Sequence, residues 1–393
     1  MKILFLSHWY PFPANNGTKL RVFNLLRGLA GSHDVSLLAF NDQPNVEPDV
    51  RDLKTLCSRV EVVPWHEYDP SSWRAVMGFS SLKPRFLLDT FSHDMAIKIT
   101  DTLREQEFDL VIASGLSMAS YRPYYRNIPA IFEEVEIGAV YDGVYGANEV
   151  AKRLRLAFTW FKLRLYISRL LKSFQAATVA SAREMKLLEQ IAPDQVNKIT
   201  VVPNCVRMDE YSNLNSKPNP NHLIFSGSFH YRANYEAMTW FIREIFPLVL
   251  GRAPDTHLYI TGDHAGMALP SLRNVTLTGH VENIKEHIAS AWISIVPLKS
   301  GGGTRLKILE AMAIGVPVIA TSKGAEGLDA LPETHYLVGN TAREFADQVL
   351  RVLHSADLRD KLGGNARKLV EQNYNWISAY PAFLNLVERT AHG

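Results

Sequence analysis

The stretch Ser300–Glu310, SGGGTRLKILE, concentrates residues that can handle an anion. Gly301, Gly302 and Gly303 carry no side chains, so backbone N–H groups can come close to a ligand, and Thr304 adds a hydroxyl donor. Arg305 and Lys307 place two positive charges within reach of a diphosphate, Arg with the more directional fork of donors. Glu310 is the residue that an ordinary buried helix does not need. A carboxylate beside Ile308, Leu309, Ala311 and Met312 is costly to desolvate unless something bonds it, and the vicinal hydroxyls of a ribose or hexose are suitable donors. The alternative is local: Glu310 pairs with Lys307 or Arg305 on its own helix, and the glycines make only a tight turn. Glycines, cations and carboxylate together favour a site for a phosphorylated sugar or a nucleotide.

Such a site needs a strand before it and a helix after it. ISIVPL (293–298) reads as the strand, KSGGGT as the loop at its carboxyl end, and RLKILEAMAIG as a helix stopped by Gly315 and Pro317. The same alternation fills the chain. KILFLS, DVSLLAF, EVVPW, FDLVIAS, PAIFEE, AATVAS and KITVVPN read as strands in the first half; HLIFSGS, THLYITG, NVTLTG, ISIVPL, PVIAT and HYLVG do so in the second. Continuous apolar strands separated by helices indicate parallel sheets covered on both faces. The polar, proline-containing MDEYSNLNSKPNPN breaks the alternation. The expected fold class is therefore α/β: two doubly wound, Rossmann-like domains, 1–207 and 222–375, joined by a linker at 208–221 and facing across a cleft. The terminal helix, 376–393, either caps the second domain or crosses back to the first.

Bulk composition narrows the partners. With 42 Lys and Arg against 40 Asp and Glu, the 393-residue chain has a net charge of +2, so nothing global argues for nucleic acid. Cys57 and Cys205 show neither a pairing pattern nor metal-ligand spacing and read as reduced thiols of a cytoplasmic protein. The amino terminus reads as a first strand rather than a signal peptide, and no window approaches the roughly 20 apolar residues of a membrane span. A membrane, if one is used, is met at its inner surface.

At this point the motifs resemble a known family. PLKSGGGTRLKILEAMAIGVPVIATSKGAEGL is similar to the donor-binding region of glycosyltransferase family 4, retaining enzymes of GT-B fold, and closest to bacterial transferases associated with surface polysaccharides. FLSHWYPFPANNGTKLRVFNLLRGLA, ITVVPNCV, FSGSFHYRANYEAMTWF, LTGHV and NYNW extend the likeness over nearly the whole chain. The resemblance implies that Glu310 binds the nucleotide ribose and that the backbone of Gly279, His280 and Val281 holds the base. It also implies that Gly17 lets its loop approach the donor phosphates. Two positions depart from the family pattern. Gly302 stands where a second glutamate is common, and the loop after Gly227 offers only Arg232 where Arg and Lys usually grip the diphosphate. Both departures suit a phosphate grip shifted toward the Gly302–Thr304 amides, Arg305 and Lys307.

The implied reaction is sugar transfer with retention, from a nucleotide-diphosphate donor to a sugar or lipid-linked acceptor. Uridine is the default base, and guanosine stays open. No carboxylate nucleophile stands out beyond Glu133, Glu134 and Glu136 in FEEVEIG, so the resemblance favours front-face attack, with the enzyme supplying charge and position. No Asp-x-Asp lies near a donor strand, so no cofactor and no divalent metal is expected. Glu136 and His8 are candidate acceptor contacts; a helix-start carboxylate and a structural histidine are the alternatives. Two other classes stay open: a GT-B nucleotide-sugar epimerase, and a non-catalytic sugar-nucleotide-binding subunit. A dehydrogenase is disfavoured because no G-x-G-x-x-G follows the first strand.

Ala151–Phe174 has seven Lys and Arg and no Asp or Glu, the pattern of a membrane-surface helix. Leu154, Phe158, Phe161 and Leu165 form one apolar stripe, and Leu156, Trp160, Leu163 and Ile167 a second. One stripe covers the first sheet; the other is left for lipid, a lipid tail, a subunit, or a second buried contact.

Overall fold

A computed structural model describes residues 1–42, 48, 50–146, 149–302 and 305–392. The chain divides into two compact units, one of Met1–Pro203 with Tyr380–Gly393 and the other of Asn204–Ala379.

Among the described residues the first unit holds a seven-stranded parallel sheet in the order β3-β2-β1-β4-β5-β6-β7. Its strands are β1 (Lys2–Ser7), β2 (Asp34–Asn41), β3 (Arg59–Pro64), β4 (Leu110–Ser114), β5 (Ala130–Glu133), β6 (Ala176–Val179) and β7 (Ile199–Val201). Helix α1 (Gly17–Ala30) follows β1, and the basic helix α2 (Val150–Leu171) precedes β6. Strands β1, β4 and β5 are buried almost throughout, as strands covered on both faces must be. Leu163, Ile167 and Leu171 of α2 join Leu4, Leu6, Val111 and Phe132 in one core, so the stripe containing Leu163 and Ile167 is the one that faces the sheet.

Among the described residues the second unit repeats the plan with six parallel strands in the order β10-β9-β8-β11-β12-β13. These are β8 (His222–Ser226), β9 (His257–Thr261), β10 (Val275–Gly279), β11 (Ile293–Val296), β12 (Val318–Ala320) and β13 (Leu337–Val338). Alternate residues feed two cores. Ile224, Val296 and Val318 pack on one face, while Leu223, Phe225, Ile293 and Ile295 pack on the other. Helix α3 (Arg232–Trp240) follows β8 and α4 (Leu306–Ile314) follows β11. Gly315 ends α4 in the left-handed conformation at φ 86°, and its N–H caps Ala311 and Met312 carbonyls.

The segment read as a linker belongs largely to the second unit. Val206 bridges Asn375, Met208 and Tyr211 are buried in its core, and the Asn215 and Ser216 N–H groups donate to Glu286 at 3.1 and 2.9 Å. These partners are far away in sequence, which is why a polar stretch with no periodicity looked like a connection. The division of the chain falls instead after Pro203. The last helix, α5 (Trp376–His392), starts in the second unit and is counted with the first from Tyr380 onward. Tyr380 lies against Gly28 of α1, where an added Cβ would stand 2.7 Å from the ring. Cys57 and Cys205 are buried and form no disulfide. No helix among the described residues is long and apolar enough to cross a membrane.

Candidate functional site

In the second unit the carboxyl ends of adjacent strands are built from glycine. Gly227 follows β8, Gly262 follows β9 and Gly279 ends β10. The Gly227 N–H donates to Thr261 O at 2.9 Å and the Gly262 N–H to Gly279 O at 2.8 Å. A Cβ on Gly262 would stand 2.7 Å from the Gly227 carbonyl carbon, so these backbones approach as only glycine permits. Sequence reasoning named Gly227 and Gly279 but not Gly262.

Beside them, α4 presents Lys307 and Glu310, each still partly open to solvent. Spacing of three along the helix puts both on one face, while Ile308, Leu309, Ala311 and Met312 are buried in the core. The Lys307 ammonium donates to Asn234 Oδ1 at 2.9 Å and lies 4.1 Å from the Phe225 ring centroid. Asn234 is held in turn by donating to Ser228 O at 2.7 Å. A side chain at Gly227 would put its Cβ 2.6 Å from Lys307 Nζ, so Gly227 leaves the ammonium its space. Desolvation, reinforced by the Arg305 charge, brings the Lys307 pKa down to about 7.

Glu310 accepts a hydrogen bond from the Tyr211 hydroxyl at 3.4 Å. No carboxylate–cation pair within 4 Å joins it to Lys307 or Arg305 among the described residues. Burial raises its pKa, against the opposing pull of Tyr211, Lys285 and Lys307. Tyr211 is pinned by the Lys285 ammonium 4.8 Å above its ring, and Lys285 is paired with Glu210 at 2.6 Å. The carboxylate is thus oriented from one side and left with unfilled acceptor capacity.

The loop before α4 is held by its own arginine. Arg305 donates to the Gly302 and Gly301 carbonyls at 2.9 and 2.7 Å, and its buried Nε has no partner in the described structure. Gly301 has φ 98° with the Tyr231 hydroxyl directly over its Cα, so both conformation and space require glycine. Gly303 and Thr304 lie outside the described residues. Arg232 is highly exposed and pairs with Glu236 at 2.8 Å, one turn along α3. Gly279 has φ 71° and open space around it; His280 is exposed and Val281 half-buried. Tyr211, Asn234 and Tyr231 escaped sequence reasoning. Only the positions of Asn234 and Tyr231 in the FSGSFHYRAN loop could have signalled them.

In the first unit His8, just after β1, sits among Trp9, Trp65 and Phe40 with ring centroids at 4.1, 4.6 and 6.3 Å. Its Nδ1 is buried without a partner, and burial lowers its pKa to about 4, so the ring is neutral at pH 7. Gly17 opens α1 behind the Asn16 cap. Of the three glutamates, Glu133 ends β5 fully buried. It accepts from Arg21 Nε at 2.7 Å and Ser114 Oγ at 2.6 Å, which is a structural role. Glu134 has φ 56°, a strained conformation for a residue with a side chain. Glu136 is exposed beyond β5, and its charge helps raise the pKa of buried Glu184 after desolvation.

Residues 220–355 match the family model described as Glycosyl transferases group 1. Over 95% of this chain and 96% of its own length, an uncharacterised 44.6 kDa protein from the cps region of Klebsiella pneumoniae is 20% identical. Among solved structures, the sucrose-phosphate synthase of Thermosynechococcus elongatus superposes with TM-score 0.70 at 17% identity, covering 99% of each chain. Anabaena HepE, solved with UDP and glucose, does so with TM-score 0.65 at 13% identity and the same coverage. The fold is therefore GT-B, and the family match supports a sugar transferase.

Proposed function

We propose that this protein transfers a sugar, with retention of anomeric configuration, from a nucleoside-diphosphate donor to a sugar or lipid-linked acceptor in surface polysaccharide or glycoconjugate synthesis. The observation that carries the reading is the Glu310–Lys307 face of α4. A carboxylate and an ammonium stand three residues apart on one helix face without forming an ion pair, beside strand ends built from glycine. A nucleoside diphosphate supplies what each lacks, vicinal hydroxyls for Glu310 and negative charge for Lys307.

In this reading Glu310 takes the ribose hydroxyls and Gly279, His280 and Val281 border the base. Lys307, with the amides of Gly301–Thr304, takes the diphosphate. Arg305 acts through the loop it ties as well as through its charge. Arg232 reaches the phosphates only by leaving Glu236. The acceptor hydroxyl attacks the anomeric carbon on the face from which the diphosphate departs. The new C–O bond forms as the old one breaks, and the hydroxyl proton passes to a departing phosphate oxygen. Lys307 stabilises the charge that collects there. His8 and Glu136 are assigned to the acceptor, and no divalent metal takes part. UDP donors are favoured by HepE, the relative of the same fold solved with UDP and glucose. The cps-region relative fits polysaccharide synthesis.

The test is donor turnover. Incubation with UDP-, GDP- and ADP-sugars, a panel of alkyl glycoside and lipid-linked acceptors, and EDTA should release one nucleoside diphosphate and yield a product with the donor's anomeric configuration by proton NMR. An inverted product would refute retention. An isomerised nucleotide sugar formed without acceptor would replace transfer by epimerisation.

A further inference from the structure

One flank of the first unit carries chemistry that sugar transfer does not use. Of the seven cations read in Ala151–Phe174, Lys172 pairs with Asp194 at 3.3 Å and Lys162 donates to the Gly78 carbonyl. Lys152, Arg153, Arg155, Arg164 and Arg169 have no carboxylate within 4 Å among the described residues. With Leu163 and Ile167 turned to the core, the other stripe is left outside: Leu154 is 67% exposed, Phe158 48% and Phe161 54%. The Lys162–Gly78 bond seats a second apolar element against the same helix. Helices Trp73–Met77 and Arg85–Asp89 form a small hairpin whose Trp73, Met77, Phe79 and Leu82 are also exposed. Its shape is fixed by Arg85, which lies 3.9 Å from the Phe79 ring centroid and donates to Ala75 O and Pro70 O, both at 2.7 Å.

Hairpin and helix meet at a cavity of about 760 Å³, whose lining includes Leu82, Lys83, Arg122, Arg126, Tyr166 and Arg169 and, among the described residues, no Asp or Glu. Arg122 is committed to the Ser173, Tyr125 and Arg126 carbonyls. Lys83, Arg126 and Arg169 are not paired with any carboxylate among the described residues, and burial pushes the Lys83 pKa down. Arg126 precedes β5 and Gln175 precedes β6, so the cavity lies at the amino edge of the sheet. His8 and Glu136 follow strands at the opposite, carboxyl edge.

We propose that this flank is a docking surface for an anionic phospholipid bilayer. The exposed aromatic and aliphatic side chains of the hairpin and α2 enter the interfacial layer, and the cavity receives a lipid headgroup phosphate between Lys83, Arg126 and Arg169. Charge decides for lipid over a second copy of the chain. A self-complementary contact would bring two sets of unpaired cations together, whereas anionic headgroups neutralise them. Aromatic and apolar residues rimmed by Lys and Arg are the composition of an interfacial element. The surface holds the protein flat on the leaflet and leaves the carboxyl edge of its sheet open.

Flotation of the full-length protein with phosphatidylcholine vesicles, with and without phosphatidylglycerol, tests this without any nucleotide, so its outcome is independent of the sugar-transfer reading. The expected result is binding to phosphatidylglycerol vesicles alone, weakened by salt. Arg126→Glu/Arg169→Glu should reduce it by about tenfold or more, and Phe158→Ser/Phe161→Ser should reduce it with the cations intact. Retained circular dichroism shows that both variants fold. Equal binding to neutral vesicles, no binding by the wild type, or indifference to charge reversal would overturn the proposal. So would a dimer in solution that the Phe158→Ser/Phe161→Ser variant dissolves, with no vesicle binding by the wild type.

Discussion

Glu133 in the first unit and Glu310 in the second are treated in opposite ways. Glu133, at the end of β5, is fully enclosed with Arg21, Ser114 and Thr178 around it, and Arg21 also donates to the Val202 carbonyl at 2.9 Å. Glu310, on α4, keeps a face to solvent, takes one long hydrogen bond from Tyr211, and stands near Lys307 without pairing with it. A closed set of partners ties α1 to the sheet and has no capacity for a ligand. An open set, with desolvation pushing the carboxylate up and the ammonium down, stores interactions that a ligand can complete. Burial alone would have ranked Glu133 as the special residue; satisfaction of its partners reverses the order.

The contrast is broken most forcefully at Arg21. Arg21→Ala strands a buried carboxylate and should cost about 3–5 kcal/mol in urea unfolding. Arg21→Met/Glu133→Leu should recover much of that, because no uncompensated charge remains. Removing the other carboxylate should do the reverse. Glu310→Ala is expected to leave the urea midpoint nearly unchanged while nucleoside-diphosphate affinity drops by about 2 kcal/mol, roughly thirtyfold, and transfer largely disappears.

A smaller effect follows from Lys307. Its free-state pKa is about 7, and a bound diphosphate favours the charged form, so binding above pH 7 must take up a proton. Affinity should fall by up to about tenfold as pH rises from about 7 to 8. Lys307→Arg, permanently charged, should flatten that slope; calorimetry in buffers of different ionisation enthalpy reads the proton directly. The same shift fixes the sign for the free protein. The folded state holds this proton less tightly than the unfolded chain, so Lys307 adds stability as pH rises from about 7 toward 10.5. Smallest is Gly301→Ala, where positive φ and the Tyr231 hydroxyl oppose a side chain; about 1 kcal/mol of stability should be lost. Pairing it with Tyr231→Ala should return the steric part and leave the conformational part.

Strands were easy to read and long-range partners were not. Each of β1 to β13 overlaps an apolar run of the sequence, although β2 continues to Asn41, one residue past its run, and β3 begins at Arg59, two residues before its own; a strand buried on both faces announces itself as a continuous run. The carboxylate and cations of α4 were equally plain, being out of place on a helix whose neighbours are apolar. What failed was closure. The Glu133–Arg21 pair spans 112 positions and Val206 reaches Asn375, so the sequence alone groups Glu133 with Glu134 and Glu136 and places Tyr211 in a linker. Two apolar stripes on α2 were visible, but the sequence had no means of choosing the inward one. Packing against Leu4, Val111 and Phe132 makes that choice.

In the proposed reading Glu310 is held ready for a nucleotide rather than for the fold. Titration calorimetry of the wild type and Glu310→Ala with UDP, GDP and ADP, with and without magnesium, tests it most directly. Micromolar binding of one nucleotide to the wild type, indifferent to magnesium, is expected, with a roughly thirtyfold loss in a variant that unfolds at the same urea concentration. Equal affinity in the two proteins would contradict it.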